Sequence, residues 1–459
     1  MKRSKHSASD SSLEKLEDRT LFSTYVVNVV GDPTLVHAHQ LPLRSAVDMA
    51  NSHGGTSVIE FDPGVFSTDQ TIFLQAPLTV SNPAARIIII GPAAGVTLNQ
   101  DLCMYDSTTL YVKGRATLDV SRMNFTTDSF DLGSYVIKNA GQFEMAECTV
   151  SSPDNTGGIG GIYNSGRLTL NHVTIANHGD FNSDAAFGAG LYNTGVANLQ
   201  DVTFQDDDAN AGGAIGQTAG TLNAVNVTFN DCSNDVNGLG GAVAIDGGTA
   251  SFTNSTFDGS ALNADSTPKN SAGAALYVGS ANVTLINDTI TNSGIYPLGY
   301  GMHGDVPTAG AIFVSHDGKL SMGNTVVSGM VEEGGLVGGF LGNGPEIVGR
   351  VNSLGHNLIG QTSSLTLGLV SSDLRGTHAS PLNPGLSALA NNGGYTETEL
   401  PKFSSILINA GDDSLIPMGI TTDQRGDARI FDGTVDIGAV EYAGLIVRQR
   451  AVVRSPFKG

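Results

Sequence analysis

The sequence predicts an all-β chain wound as a parallel β-helix with three strands per coil. Three observations lead there. A row of four apolar residues at fixed spacing recurs eight times, rows follow one another every 25–37 residues, and a glycine-led apolar segment lies between rows. The composition agrees: of 459 residues 59 are Gly, 40% are hydrophobic and 15% are charged, which suits a large core and disfavours stacked helices.

The rows are anchored at Phe125, Val150, Ile175, Phe204, Phe229, Phe257, Ile290 and Val327. The residues two, five and seven places earlier are apolar too, as in Leu118, Val120, Met123 or Leu168, Leu170, Val173. Of the 32 positions 29 are apolar, with Ser255, Asp288 and Thr325 the exceptions; at the chain-wide content, chance gives about 13. Residues two apart share one face of a strand, so each row reads as two short strands joined by a bend. Asn226, Asn254, Asn287 and Asn324 stand three places before their anchors, where a tight corner needs a residue that tolerates left-handed backbone. Thr precedes the anchor in six rows, from Thr149 to Thr289, at a position that points outward on a solvated strand.

The glycine-led segments run from Gly161-Ile162-Tyr163-Asn164 and Gly190-Leu191-Tyr192-Asn193 to Gly310-Ala311-Ile312-Phe313 and supply a third strand. A period of this length marks a solenoid. Leucine-rich repeats need more Leu, and propeller blades are longer and antiparallel. Eight coils at about 4.8 Å each stack to roughly 38 Å. Each coil packs only on its neighbours, so stability is expected to add up along the stack.

Five regions follow in order. Residues 1–23 are polar, mixed in charge and expected to form a mobile, export-type segment. Residues 24–110 form the N-terminal cap and first coils. Within them Leu43, Ala46, Val47 and Ala50 share a helical face, Pro42 suits a helix start and Gly54-Gly55 its end. Such a helix covers the open end of a strand stack. Residues 111–349 are the repeats, with the longest insertions around Pro297–Pro307 and Gly329–Gly349. Residues 350–442 are turn-rich and expected to close the stack as an irregular C-terminal cap, tied by Asp423, Arg425, Asp436 and Glu441. Residues 443–459, with Arg448, Arg450, Arg454 and Lys458, form a basic tail.

Several of these segments resemble known families. Leu13-Glu-Lys-Leu-Glu-Asp-Arg-Thr-Leu-Phe-Ser23 is similar to a short motif that opens many large planctomycete proteins thought to be exported. Leu43-Arg44-Ser45-Ala46-Val47, Ala50-Asn51 and Ile59-Glu60-Phe61 resemble the opening of bacterial surface β-helix proteins, with Ser45 in place of the usual Glu. The series Leu354-Gly355-His356-Asn357-Leu358-Ile359-Gly360, Pro381-Leu-Asn-Pro-Gly-Leu386, Asn391-Asn-Gly-Gly-Tyr-Thr396, Ile408-Asn-Ala-Gly411, Thr422-Asp-Gln-Arg-Gly426 and Asp436-Ile-Gly-Ala-Val-Glu-Tyr442 resembles the choice-of-anchor Q region at the end of such proteins. The likeness implies a right-handed parallel β-helix of the pectin lyase fold, export, and an extracellular or cell-surface setting. It implies no chemistry.

Charge narrows the function classes. Against 23 Lys and Arg stand 44 Asp and Glu, a net charge of −21, which excludes nucleic acid as a partner. No Lys or Arg occurs from Leu168 to Thr267, where Asp appears eleven times. No apolar stretch is long enough to span a membrane. Cys103, Cys148 and Cys232 are too few and scattered for a disulfide framework.

Asp206-Asp207-Asp208 is the candidate Ca²⁺ site, with Asp180, Asp184, Asp231 or Asp235 on adjacent coils as further oxygen ligands. A lyase there lacks a nearby Arg or Lys base. A polygalacturonase-type set is missing too, since Gly355-His356-Asn357 is not Gly-His-Gly and no Arg-x-Lys occurs. His37 and His39 alternate on one expected strand face. His303, His316 and His378 are single. Tyr163, Tyr192 and Tyr277 sit at comparable places, as a core stack or as a carbohydrate platform. No catalytic or cofactor-binding residue is assigned. The leading reading is a non-enzymatic, secreted or surface-displayed, adhesin-like scaffold whose partner is an unknown surface ligand or polysaccharide. The alternative is a polysaccharide-active lyase or glycoside hydrolase on the same fold.

Overall fold

A computed structural model describes residues 22–100, 108–127, 134–152, 159–179, 187–264, 272–297, 310–332 and 344–444. Cys103, Asp180, Asp184, His303, most of the N-terminal segment and the tail beyond 444 lie outside them. The chain is an all-β parallel solenoid of about nine turns, matching a right-handed parallel β-helix.

Every named strand pairs in parallel with its equivalent in the next coil. The first sheet passes through Thr117–Ser121, the first halves of Gln142–Ser151, Arg167–Ala176 and Val196–Gln205, then Thr221–Val225, Thr249–Thr253, Asn282–Ile286 and Lys319–Gly323. The second runs from Val96–Gln100 and Asn124–Thr127 through the second halves of those long strands to Thr228–Asn230, Thr256–Asp258, Thr289–Thr291 and Val326–Ser328. The third contains Leu110–Val112, Ile159–Asn164, Leu191–Asn193, Ile215–Gln217, Val243–Ile245, Leu276–Val278 and Ile312–Val314. The middle coils depart from the three-strand expectation. They add Asp208–Ala211, Ser233–Leu239, Ala261–Ala264 and Gly294–Pro297, part of a fourth, five-stranded sheet.

All the repeat positions read from the sequence point inward, and the anchors stack in register. Phe204 and Phe229 lie 5.4 Å apart between ring centroids, Phe229 and Phe257 4.3 Å. The three polar exceptions, Ser255, Asp288 and Thr325, are fully buried as well. Each accepts a hydrogen bond from a backbone N–H of the preceding coil, as when Ser255 N donates to Asp288 Oδ1 at 2.7 Å. Asn357 and Asp373 continue this line, with Thr325 N donating to Asn357 Oδ1 at 3.0 Å.

The bend that produces these N–H groups is left-handed in every row. The four expected Asn residues have φ of 50–57°, and Arg122, Glu147, His172, Asp201 and His356 occupy the same position with φ of 54–57°. A second line of side chains closes the corner between the third and first sheets. Asn139 donates to Asn164, Asn164 to Asn193 and Asn193 to Gln217, each at 2.8 Å, all buried. Each Asn also donates to a backbone carbonyl of the next coil.

The helix, Leu43–Ser52, buries Leu43, Ala46, Val47 and Ala50 against the first strands. Pro42 serves as its N-cap. Arg44 pairs with Asp32 at 2.7 Å and fastens the helix start to the preceding loop.

The C-terminal region departs from expectation. Ile347–Gly355, Leu358–Thr362 and Leu374–Thr377 continue the stack as its last coils, but from about residue 382 the chain returns along the flank as a strap. Leu382 O meets Ser328, Glu399 meets Thr291, Glu397 O meets Thr228, Thr396 bonds to Asn226 O, and Tyr395 stacks on His172 with centroids 3.4 Å apart. The strap covers part of the Thr column. Thr228, Thr256 and Thr289 are buried, and Thr256 Oγ1 donates to Gln424 Oε1 at 2.6 Å. Only the earlier members, such as Thr149 and Thr174, keep the partial exposure expected for all six.

The acidic group expected to tie this region down is real but differently built. Arg425 pairs with Asp423 at 2.6 Å. Asp436 and Glu441 accept mainly backbone N–H groups, from Asn409, Tyr442 and Phe431 among others. The central cation is Arg429, which no sequence pattern singles out. It is buried, 3.5 Å from Glu441, and donates to the backbone oxygens of Asp436 and Gly438.

Asn164→Ala strands the amides of Asn139 and Asn193 inside the stack. A loss of about 1–3 kcal/mol in urea unfolding is the expected outcome. An exposed polar substitution such as Asn223→Ala is expected to change stability by less than about 0.5 kcal/mol.

Candidate functional site

The Asp206–Asp208 run sits on a second left-handed corner, two residues past the anchors. Asn177, Asp206, Asp231 and Asn292 have φ of 51–61° there, and Gly259 and Gly329 take 68° and 88°. The next residue in each coil turns inward, giving a buried column of His178, Asp207, Cys232, Ser260, Ser293 and Met330. The three aspartates therefore diverge. Asp206 stays on the outer side of the corner, Asp207 is fully buried, and Asp208 opens a strand of the fourth sheet.

Asp207 Oδ1 lies 3.0 Å from His178 Nδ1 and accepts His178 N at 2.9 Å. Burial pushes its carboxyl up to about 6 against the opposing pull of His178. Asp231 is raised by burial and by Asp206 and Asp258. Among the described residues no group of three or more His, Cys, Asp and Glu is arranged to hold a metal. This inner column also accounts for the glycines that open the third strand. A Cβ on Gly190 would stand 2.8 Å from Asp207 Oδ2, and one on Gly161 3.1 Å from the His178 ring.

Other sequence candidates fall elsewhere. His37 and His39 lie exposed in a loop rather than on a strand. Cys148 is buried and its thiol is pushed up to about 11, and Cys232 is likewise raised well above its usual value, both mainly by desolvation. Tyr163, Tyr192 and Tyr277 occupy outward positions of the third sheet, not the core. Tyr163 and Tyr192 lie 5.4 Å apart and Tyr135 joins them, while Tyr277 stacks on Phe313 at 5.9 Å. Gly216 and Ala244 separate the two groups in the register.

The strap creates a site that the sequence did not disclose. Where it crosses the last coils, a cleft of about 490 Å³ opens, lined by Thr291, Asn292, Glu346, Gln361, Asn383 and Glu399 among others. Glu399 accepts Thr291 Oγ1 at 2.8 Å. Glu346 accepts the backbone N–H groups of Gly329 and Met330 at 3.1 and 3.2 Å. Thr291 and Ser328 are register partners, so the two carboxyls bond to groups on successive coils, Glu399 to Thr291 and Glu346 to the backbone just after Ser328. Burial pushes both up to about 8, outweighing the hydrogen bonds that favour the charged forms. Neither Glu belongs to a repeat row, and the strap that brings Glu399 there has no periodicity to read.

No protein-family model matches the chain, and no curated protein does. The likeness to choice-of-anchor regions therefore stands on its motifs alone. No helix among the described residues is long and apolar enough to cross a membrane.

Raised carboxyl pKa values favour folding at low pH. Their contribution is complete below about 4.5 and disappears as pH rises through about 8. Unfolding followed from pH 5 to pH 9 is expected to show falling stability, by roughly 2–4 kcal/mol per group. Glu346→Gln and Glu399→Gln are each expected to flatten that slope.

Proposed function

We propose that this protein is a non-enzymatic scaffold, adhesin-like and displayed outside the cell or on its surface. The observation that carries the reading is where length varies along the winding. The connections from the third sheet to the first hold two to four residues in coil after coil, as between Asn193 and Val196 or Val314 and Lys319. The long insertions all fall at the opposite step, between the second and third sheets, as between Arg167–Ala176 and Leu191–Asn193 or Gly294–Pro297 and Ile312–Val314. A rigid frame that carries variable loops along one edge is the arrangement of a display surface. The opening segment and C-terminal motifs support an extracellular or surface setting, and the charge of −21 suits an exposed, soluble rod.

The Glu346–Glu399 cleft favours a second reading, a polysaccharide-active enzyme. Two carboxyls lining one cleft, both raised by burial so that either can carry a proton near neutral pH, are the raw elements of glycoside hydrolysis. The Asp206–Asp208 corner offers such an enzyme less, because its side chains diverge.

One experiment in two arms separates these readings. Antibody labelling of intact native cells is expected to reach the protein. A purely intracellular signal overturns the display reading. Purified protein incubated with neutral and acidic polysaccharides, with and without Ca²⁺, is expected to release no products. Sustained release that Glu346→Gln or Glu399→Gln abolishes establishes the enzyme instead.

A further inference from the structure

We propose that the outer face of the first sheet binds an extended, uncharged polysaccharide, the chain lying along the solenoid axis. This rests on the display reading and names its partner. Thr169, Asn198, Asn223, Ser251, Thr284 and Ser321 are successive register partners and project outward in one line. The pairing runs without a shift until Met322, so the line is straight. Every member is a hydroxyl or amide side chain that both donates and accepts.

Hydrogen bonds between coils hold this line in place. Asn223 Nδ2 donates to Asn198 Oδ1 at 2.9 Å, Ser251 Oγ to Asn223 Oδ1 at 3.1 Å, and Asn352 Nδ2 to Ser321 Oγ at 3.1 Å. The array is thus ordered before any ligand arrives, which lowers the entropy lost on binding. Its members recur about every 4.8 Å, close to the advance of one ring in an extended β-linked sugar chain. Successive rings then meet successive coils in the same way.

Charge selects among occupants. The four central strands of the line, residues 196–200, Thr221–Val225, Thr249–Thr253 and Asn282–Ile286, contain no Asp, Glu, Lys or Arg in a chain whose net charge is −21, and Arg167 and Lys319 stand only on the strands at its two ends. Asp201 and Asp246 stand on the bends to either side. A polyanion or a second copy of this chain would be repelled by that surround, whereas a neutral polyol is not. The strap leaves the line open and borders it on one side. It buries Thr253 and Ile286 at the edge, and a Cβ on Gly323 would lie 2.9 Å from Leu415 of the strap. The result is a shallow, walled lane.

The test is retention of the full chain on pelleted cellulose, chitin and mannan, with pectate and alginate as charged comparisons. Retention on at least one neutral polymer is expected. Ser251→Asp and Thr284→Lys are each expected to weaken it at least tenfold with an unchanged circular dichroism spectrum, while Ser364→Asp, on a turn away from this face, leaves it intact. Retention that survives both charged substitutions overturns the proposal, as does retention on no neutral polymer. A concentration-dependent dimer abolished by the same substitutions also overturns it, since a second copy is then the occupant. Surface labelling without polymer retention refutes this inference alone. Retention by a protein found only inside cells refutes the display reading and leaves the binding face standing.

Discussion

The left-handed corner three residues before each anchor is the constraint on which the stack depends. It turns one inward pair into the next while keeping both pairs inside, so greasy columns form on two sheets from a row of only eight residues. A non-glycine residue gives up roughly 1 kcal/mol to adopt that backbone. Asn tolerates it best, yet Arg122, Glu147, His172, Asp201 and His356 adopt it too. What holds them there is the coil above and below. Register pairing fixes the flanking strands, and in the later coils a buried Ser, Asp, Thr or Asn accepts the N–H that the corner turns along the axis. The apparent faults in the apolar rows are therefore the groups that satisfy the backbone where the winding bends.

The rows, the glycine-led third strand and the N-terminal helix were legible because each is written in local spacing. Four corner asparagines were legible for the same reason. Asp206–Asp208 looks like a cluster in the sequence, but the left-handed corner sets Asp206 and the buried Asp207 on different sides of the wall, which spacing alone does not show. The outward Thr column misled in its second half, since nothing near Thr256 in the sequence announces Gln424. The strap bonds to partners some 54–197 residues away, and contacts at such separations leave no periodicity in either segment. Arg429 and Glu399 were invisible on the same ground.

The lane on the first sheet and the cleft beneath the strap differ in kind. The lane is a product of repetition, and its chemistry could be read coil by coil once the strands were placed. The Glu346–Glu399 cleft is a product of folding back, and exists only while the strap is docked. Repetition supplies a regular face, neutral over its four central strands; the return of the chain supplies an open cleft that holds two carboxyls. Both use the same backbone frame, and neither disturbs the inner columns.

A plain solenoid melts like a stack of coins, each layer answering only to the next. The returning strap changes that, because it touches the coil of His172 at one end and that of Ser328 at the other. It works as a brace across layers that otherwise have no contact, so the middle of the rod opens as one piece. Synthesis delivers that brace after the coils it spans. The early coils can wind as they emerge, but Thr228, Thr256 and Thr289 stay wet until the strap has followed them out of the ribosome, and the braced layers stiffen together.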